Sequence, residues 1–346
     1  MSNPTNMRFG ILGTGRITRR LVADLQSVSE VSVTAIASRT QDRAAWYADS
    51  YGIPHGVHGY QDLIDRDDVD AVYVALPPSL HHEWTLACLE AGNHVLCEKP
   101  LTTTLAHSVE LVERANEKSL RLMDATAWLH HERTDAIESW LPRTAGAADV
   151  QPEFGIGELR HISAAVSFTN PFQSGDHRMD AGLGGGCLLD LGWYAASLIQ
   201  FATGELPASV WAESNQQNGV AHRVTAMMRF PSGVSATLSC AFDTATRKWF
   251  EIAGSSASIV CDDFTRPWQP QADDPPMPAR CWVREPFGKV HRKSFECHQE
   301  RRMIRRFAGD TDRQPFQRHS LNTQAIVQAV ERSIVERGPV ELEKAR

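Results

Sequence analysis

Lys99 stands between Glu98 and Pro100, directly after the apolar run His94-Val95-Leu96-Cys97. A lysine desolvated at a strand end can exchange a proton near neutral pH, and a following proline can fix the backbone that presents it. Far earlier, Gly13-Thr14-Gly15-Arg16-Ile17-Thr18 follows the apolar run Phe9-Gly10-Ile11-Leu12. Glycine at 13 permits a tight turn, and glycine at 15 lets the backbone approach a pyrophosphate at the positive N-terminus of the next helix. A third group lies downstream, where Gly184-Gly185-Gly186 leads into Asp190 and Tyr194. Four residues apart on a helix, those two share a face. A dinucleotide loop with a proton-exchanging lysine fits hydride transfer at a carbon bearing oxygen, because a hydroxyl proton must leave as the hydride does. Each group also has a plainer reading: a glycine-rich turn, a lysine paired to Glu98 or solvent, and a buried polar pair.

The end of the second apolar run bears on which dinucleotide. The loop's usual partner is an acid that binds the ribose 2′-hydroxyl of NAD, but this chain has Ser38-Arg39-Thr40, with Arg43 one helical turn on. A hydroxyl and a guanidinium fork accept a 2′-phosphate that a carboxylate would repel. The expected cofactor is therefore NADP(H), with NAD(H) as second choice. Thr18 replaces the usual third small residue of the loop and loosens the expected helix packing.

The elements that hold these groups alternate short apolar runs with amphipathic segments over residues 1–126. Strands are expected at Arg8–Leu12, Val31–Ser38, Val69–Leu76, His94–Glu98 and Arg121–Thr126. Such alternation predicts an α/β fold with a doubly wound parallel sheet. Thr40 can cap a helix over Gln41–Tyr51 before Gly52, and Ser79 can start another that ends near Ala91-Gly92. Residues 127–346 read differently. Leu159–Phe168, Val210–Asn215, Arg223–Phe230, Val234–Phe242 and Lys248–Ala253 follow one another with turn signals, which predicts an α+β domain with an open, largely antiparallel sheet. A helix over Cys187–Thr203 interrupts it, Asp263–Pro278 reads as a surface loop, and Ser320–Arg337 reads as a closing helix that packs back on the first domain.

The 346 residues carry a formal charge of −7, which gives no electrostatic case for nucleic acid or an anionic membrane. The seven cysteines are odd in number and spread out, as expected in a reducing, cytoplasmic compartment. His81-His82 and His130-His131 have no third ligand at zinc spacing, so no metal is expected. The arginines at 301, 302, 305 and 306 read as a solvated helix face that pairs with acids elsewhere.

The loop at Gly13-x-Gly15, the run Leu76-Pro77-Pro78-Ser79-Leu80-His81, Glu98-Lys99-Pro100 and the Gly-Gly-Gly segment through Asp190-x-Gly192-x-Tyr194 together resemble the glucose-fructose oxidoreductase/inositol dehydrogenase/MocA family. The resemblance covers nearly the whole chain and implies a Rossmann domain, then an open-faced sheet domain often used for dimerisation. By motif position it implies Lys99 as catalytic, with a cis bond before Pro100, and Asp190 and Tyr194 completing the site. Cofactor contacts are implied from Gly13, Thr14, Gly15, Arg16, Ile17, Leu76, Pro77, His81, Glu98 and Lys99, beside Ser38, Arg39 and Arg43. Arg178 matches an arginine that touches cofactor or substrate in one branch. That branch, with tyrosine at the last position, contains glucose-fructose oxidoreductase and the dimeric dihydrodiol dehydrogenases. The segment Ala127–Arg133 and the insertion-like stretch Arg143–Phe154 depart from the family pattern at places that can reshape a substrate mouth.

The expected protein is an NADP-dependent oxidoreductase acting on a secondary alcohol or hemiacetal carbon of a sugar, polyol or cyclic diol. Lys99 serves as acid/base, Tyr194 as hydrogen-bonding partner or alternate proton donor, and Asp190 orients Lys99 or a substrate hydroxyl. A homodimer or homotetramer is expected. Two rivals stand beside it: a glycosidase that retains its nicotinamide cofactor, and a non-catalytic NADP-binding regulator.

Overall fold

The computed structural model describes residues 6–142, 154–169, 172, 175–266, 278–309 and 314–342. Most of the stretch Arg143–Phe154 and of the loop Asp263–Pro278 lies outside the described residues. The chain divides into two compact units, the first taking residues 6–127 with 298–309 and 314–321, the second the remainder.

In the first unit, strands β1 (Met7–Leu12), β2 (Val31–Ser38), β3 (His55–His58), β4 (Ala71–Val74), β5 (His94–Cys97) and β6 (Leu122–Asp124) form one parallel sheet in the order β3-β2-β1-β4-β5-β6. Both faces of the sheet are covered, as parallel sheets require. Side chains alternate between them. Phe9, Ile11, Tyr73, Leu96 and Met123 pack with Leu21, Val22 and Leu25 of helix Arg16–Gln26 and with Met303, Ile304 and Phe307 of helix Gln299–Ala308. Leu12, Val72, Val74, Val95 and Cys97 pack with Cys88 and Leu89 of helix His81–Glu90 and with Leu111 and Val112 of helix Leu105–Glu117. Each such apolar side chain, fully buried, contributes about 1.5–3 kcal/mol. The strand order reverses between β1 and β4, where ligands of open α/β sheets collect at the carboxyl ends. The short edge strand β3 was not expected, since His55-Gly56-Val57-His58 has no apolar run and is largely solvent-facing.

The second unit holds strands β7 (Leu159–Ser167), β8 (Ser209–Gln217), β9 (Val220–Arg229), β10 (Ser235–Ala241), β11 (Arg247–Gly254), β12 (Ser258–Cys261), β13 (Ala279–Arg284), β14 (Val290–Phe295) and β15 (Val340–Glu341). Their order is β14-β13-β12-β11-β7-β10-β9-β8-β15, antiparallel except for the β7/β10 pair. From Val224 to Arg229, β9 alternates strictly between buried and exposed residues. Leu198 and Ile199 of helix Trp193–Thr203, with Ile326, Val327 and Val330, share the core built on the inner face. On the other face Trp211 lies opposite Met227, and Trp249 stands two residues from Glu251 of the same row; all three apolar side chains are exposed.

The closing helix begins earlier than the sequence suggests, running over Gln314–Glu336. Ser320 lies inside it, its hydroxyl 2.7 Å from Asp124 Oδ2 and 3.1 Å from the Phe316 carbonyl oxygen. The arginine face of helix Gln299–Ala308 does pair with acids, Arg301 with Asp24 and Arg305 with Glu30.

Candidate active site

Gly13 turns with φ +104, and a Cβ there would collide with the carbonyl oxygen of Ala75 at the end of β4. Only glycine fits, on both counts. Gly15 is different: its φ is −80, and a Cβ placed on it meets nothing within 4 Å. Nothing inside the chain demands glycine at 15, so the open space above it suits a ligand that must come close to the backbone, as a pyrophosphate does at a helix N-terminus. Arg16 and Ile17 are exposed on the first turn beyond. Thr18 is fully buried rather than loosely packed, and its hydroxyl donates to the Gly13 carbonyl at 3.1 Å.

Ser38 ends β2 buried, 3.5 Å from the Thr14 hydroxyl. Arg43 reaches back to the loop, its Nε donating to Thr14 Oγ1 and its Nη2 to the Thr14 carbonyl, both at 2.6 Å. Arg39 is exposed and has no hydrogen bond or ion pair among the described residues. The loop side is thus positively charged, with one guanidinium bracing the turn and another open to solvent. These residues fit a dinucleotide carrying a 2′-phosphate.

At the end of β5 the Lys99–Pro100 peptide is cis. The buried His81 ring sits between two turns, Nδ1 2.7 Å from the Pro100 carbonyl and Nε2 2.8 Å from the Leu76 carbonyl, and so ties the lysine turn to the Leu76-Pro77 turn after β4. Glu98 turns inward: Tyr73 Oη donates to its Oε1 at 2.5 Å, and the Lys99 amide donates to its Oε2 at 3.2 Å. Burial raises the Glu98 carboxyl, opposed by the Tyr73 hydrogen bond and by the Lys99 charge. Burial, reinforced by Glu98, raises the Tyr73 phenol well above its ordinary value, so it stays a donor. Gly13, Ala75, Leu76, His81, Glu98 and Lys99 therefore share the carboxyl edge of one parallel sheet.

In the second unit Asp190 lies within one turn of π-helix, Leu188–Gly192, and Tyr194 is the second residue of the α-helix that follows. Such widened turns occur often at functional sites. Arg178 Nε donates to Asp190 Oδ2 at 2.7 Å, and its Nη1 donates to Asp176 Oδ1 at 3.3 Å. Burial would lower the guanidinium's affinity for its proton, but Asp190 and Asp176 more than offset that and raise it. The glycine cluster explains this placement. A Cβ on Gly185 would meet the carbonyl oxygens of Arg178, Asp180 and His177 at 2.7–2.8 Å, and the Gly186 amide donates to the Arg178 carbonyl at 2.9 Å.

Sequence reasoning missed Tyr73 and Asp176. Tyr73 was legible in principle, because it pairs with Leu96 and therefore shares a face with Glu98 two residues on. Asp176 carried no signal. Within the segment Ala127–Arg133, Ala127 packs on the first unit's core and Trp128 lies in the second unit's. Trp128 packs edge-on to Phe201 and Phe264, and the buried Arg133 donates to the carbonyls of Asp263 and Phe264 at 2.8 and 2.7 Å. His131 accepts from the Arg133 amide at the start of helix Glu132–Trp140. No helix among the described residues is long and apolar enough to cross a membrane.

Residues 7–126 match the model of the oxidoreductase family with an NAD-binding Rossmann fold (GFO_IDH_MocA), and residues 153–260 match that of the GFO/IDH/MocA C-terminal domain. The chain is 39% identical over 267 residues to a dTDP-3,4-didehydro-2,6-dideoxy-alpha-D-glucose 3-reductase of Actinomadura kijaniata, covering 75% of this chain and 76% of the relative. It is 33% identical over 248 residues to D-xylose 1-dehydrogenase (NADP(+)) 2 of Haloferax volcanii, covering 71% and 73%. Among solved structures, KijD10, a 3-ketoreductase from Actinomadura kijaniata in complex with NADP and TDP-benzene, superposes with a TM-score of 0.81 at 30% identity over 95% of this chain and 98% of that one.

Proposed function

The chain belongs to the GFO/IDH/MocA oxidoreductase family, and from that premise we propose that it moves hydride between NADP(H) and a secondary alcohol or carbonyl carbon of a sugar, polyol or cyclic diol. It is an NAD(P)-dependent oxidoreductase acting on CH–OH groups, and NADP(H) is its preferred cofactor. The observation that carries the reading lies within the first unit, where the Gly13 loop and the Lys99 turn stand at the carboxyl edge of the same parallel sheet.

When bound, the nicotinamide supplies or accepts the hydride. Gly13, Thr14 and Gly15 hold the pyrophosphate, and Ser38 and Arg39 receive the 2′-phosphate while Arg43 braces the loop. Lys99 gives a proton to the substrate oxygen during reduction and takes it back during oxidation. Asp190, its charge matched by Arg178, orients a substrate hydroxyl rather than acting as the base, and Tyr194 hydrogen-bonds the reacting oxygen. The exposed sheet face bearing Trp211, Met227 and Trp249 is covered in a homo-oligomer.

The test is nicotinamide absorbance over time with NADP(H) and NAD(H) against aldoses, inositols, cyclic diols and a dTDP-linked 3-ketosugar, the last because of the Actinomadura relative. Net turnover with one of these is expected. Lys99→Ala should lower it on the order of 10²-fold or more with NADPH binding retained. Tight NADPH binding with no turnover anywhere, or cleavage of a glycoside with no net redox change, would replace this reading by one of its rivals.

A further inference from the structure

Tyr73 and Glu98 have no role in the proton and hydride steps set out above, yet Glu98 directly precedes Lys99 and joins it to Tyr73. Tyr73 lies at the centre of β4 with its ring wholly buried against Leu96 and Met123, so its hydroxyl has one fixed direction. That direction meets Glu98 Oε1, while the other carboxylate oxygen receives the Lys99 amide. Glu98 itself is anchored in the sheet by its own amide, which donates to the Val74 carbonyl at 2.9 Å. Both oxygens of this carboxylate are thus held by donors, one a phenol on the neighbouring strand β4 and one the backbone amide of the reactive lysine that follows Glu98.

We infer that Tyr73 is a positioning residue for Lys99, acting through Glu98: its hydroxyl keeps the Glu98 carboxylate ionised and aimed, and that carboxylate fixes the lysine's backbone and sets the pH at which its ammonium gives up a proton. The inference rests on Lys99 being the acid/base group of the proposed reaction.

The direction of the effect follows from the groups around the pair. They are Cys97 and Lys99 beside Glu98 on its own strand end, Asp124 from β6 and Glu300 from helix Gln299–Ala308. Of the described groups that act most strongly on the pair, Lys99 is the cation and the others are acids, so Lys99 and the two hydrogen-bond donors favour the ionised Glu98. Removing the phenol hydroxyl leaves a buried oxygen without its donor, and the carboxyl then holds a proton to higher pH. Over the range in which Glu98 is protonated, Lys99 lacks that neighbouring negative charge and releases its own proton more readily.

The experiment measures the reactivity of Lys99 Nζ toward trinitrobenzenesulfonate as a function of pH, with the Lys99 peptide quantified by mass spectrometry, in the wild type, Tyr73→Phe and Glu98→Gln. Glu98→Gln removes the charge outright and should move the midpoint down by about one pH unit, the low end for losing an opposite charge nearby, and Tyr73→Phe should move it the same way by a smaller amount. Where the wild type turns over a substrate, the corresponding limb of the pH–kcat profile should shift with it, and in Tyr73→Phe the KM for NADPH should stay put. An unchanged Lys99 midpoint in folded Tyr73→Phe overturns the inference, as does a loss of melting temperature with no movement of the midpoint. Because the midpoint is read without turnover, an inactive wild type, or a Lys99→Ala variant of normal activity, refutes the proposed reaction and leaves this measurement separately decisive.

Discussion

The two glycines of the phosphate loop should fail in opposite ways when each is replaced by alanine. At Gly13 the backbone is left-handed at φ +104 and a Cβ would strike the Ala75 carbonyl. The conformational term is about 1–2 kcal/mol and overpacking against backbone adds about 1–3, so Gly13→Ala should lose roughly 2–5 kcal/mol. At about 2–4 °C per kcal/mol, the melting transition of the nucleotide-free protein falls by roughly 4–20 °C. Gly15 has φ −80 and open space where the Cβ would go. Alanine there loses a few tenths of a kcal/mol at a helix N-cap and gains a similar amount by restricting the unfolded chain, so the melting temperature should barely move. The added methyl instead occupies the approach of the pyrophosphate, and NADPH binding should weaken roughly 5- to 150-fold.

Thermal melts with and without nucleotide, together with a fluorescence titration of NADPH, separate the two outcomes. At a concentration a hundred times the wild-type Kd, NADPH stabilises the wild type by about 2.7 kcal/mol, whereas a variant binding about thirtyfold more weakly gains only about 0.9. If Gly15→Ala melted as low as Gly13→Ala without nucleotide, or bound NADPH as tightly as the wild type, the reasoning from the empty space above Gly15 would be refuted.

Three further outcomes are expected. Arg39→Asp should raise the KM for NADPH by about 10- to 100-fold relative to that for NADH, the range for one charge-assisted contact, and an unchanged ratio in steady-state kinetics would remove Arg39 from the 2′-phosphate site. Arg178→Met removes the guanidinium that Asp176 and Asp190 share, so kcat/KM for the sugar should fall on the order of tenfold or more with NADPH affinity intact; adding Asp176→Asn should recover part of the loss. Burial pushes the Glu331 carboxyl up to about 7 from an ordinary 4.5, and it has no hydrogen-bond or ion-pair partner among the described residues. Its proton is bound more tightly in the folded state, so its stabilising effect is complete below pH 4.5 and is lost as pH rises through about 7, a span worth roughly 3 kcal/mol. Glu331→Gln should accordingly melt higher than the wild type above pH 7, with the difference gone below pH 4.5; a constant difference across that range would contradict it.

The doubly wound sheet was legible because its strands bury both faces and read as continuous apolar runs between helical segments. Where burial is partial the signal fades, as in β3, in β12, which is only four residues long, and in β13 and β14, which carry charged residues. Turn chemistry was read correctly at Gly52, which ends helix Gln41–Tyr51 in the left-handed conformation. Thr40 stands at the N-cap position of that helix, but its side chain makes no capping bond. Partnerships were harder. Nothing local to Arg178 shows that its fork is filled by Asp176 and Asp190, and nothing near Arg43 shows that its fork turns back on Thr14. Both depend on where a turn carries the chain, which periodicity does not encode. Tyr73 is the instructive case, since a two-residue register argument across β4 and β5 would have found it.

The clasp of Arg178 by two aspartates constrains how this fold can drift. A change at any one of the three removes a charge-assisted contact from a partly enclosed place, and Gly185 bars most side chains from the turn that carries the arginine. Single substitutions there begin at a loss, so descendants of this chain should replace the trio together or keep it whole. New substrate preferences would then arise at neighbouring positions that can be altered one codon at a time, leaving the clasp as an inherited frame around which specificity is rewritten.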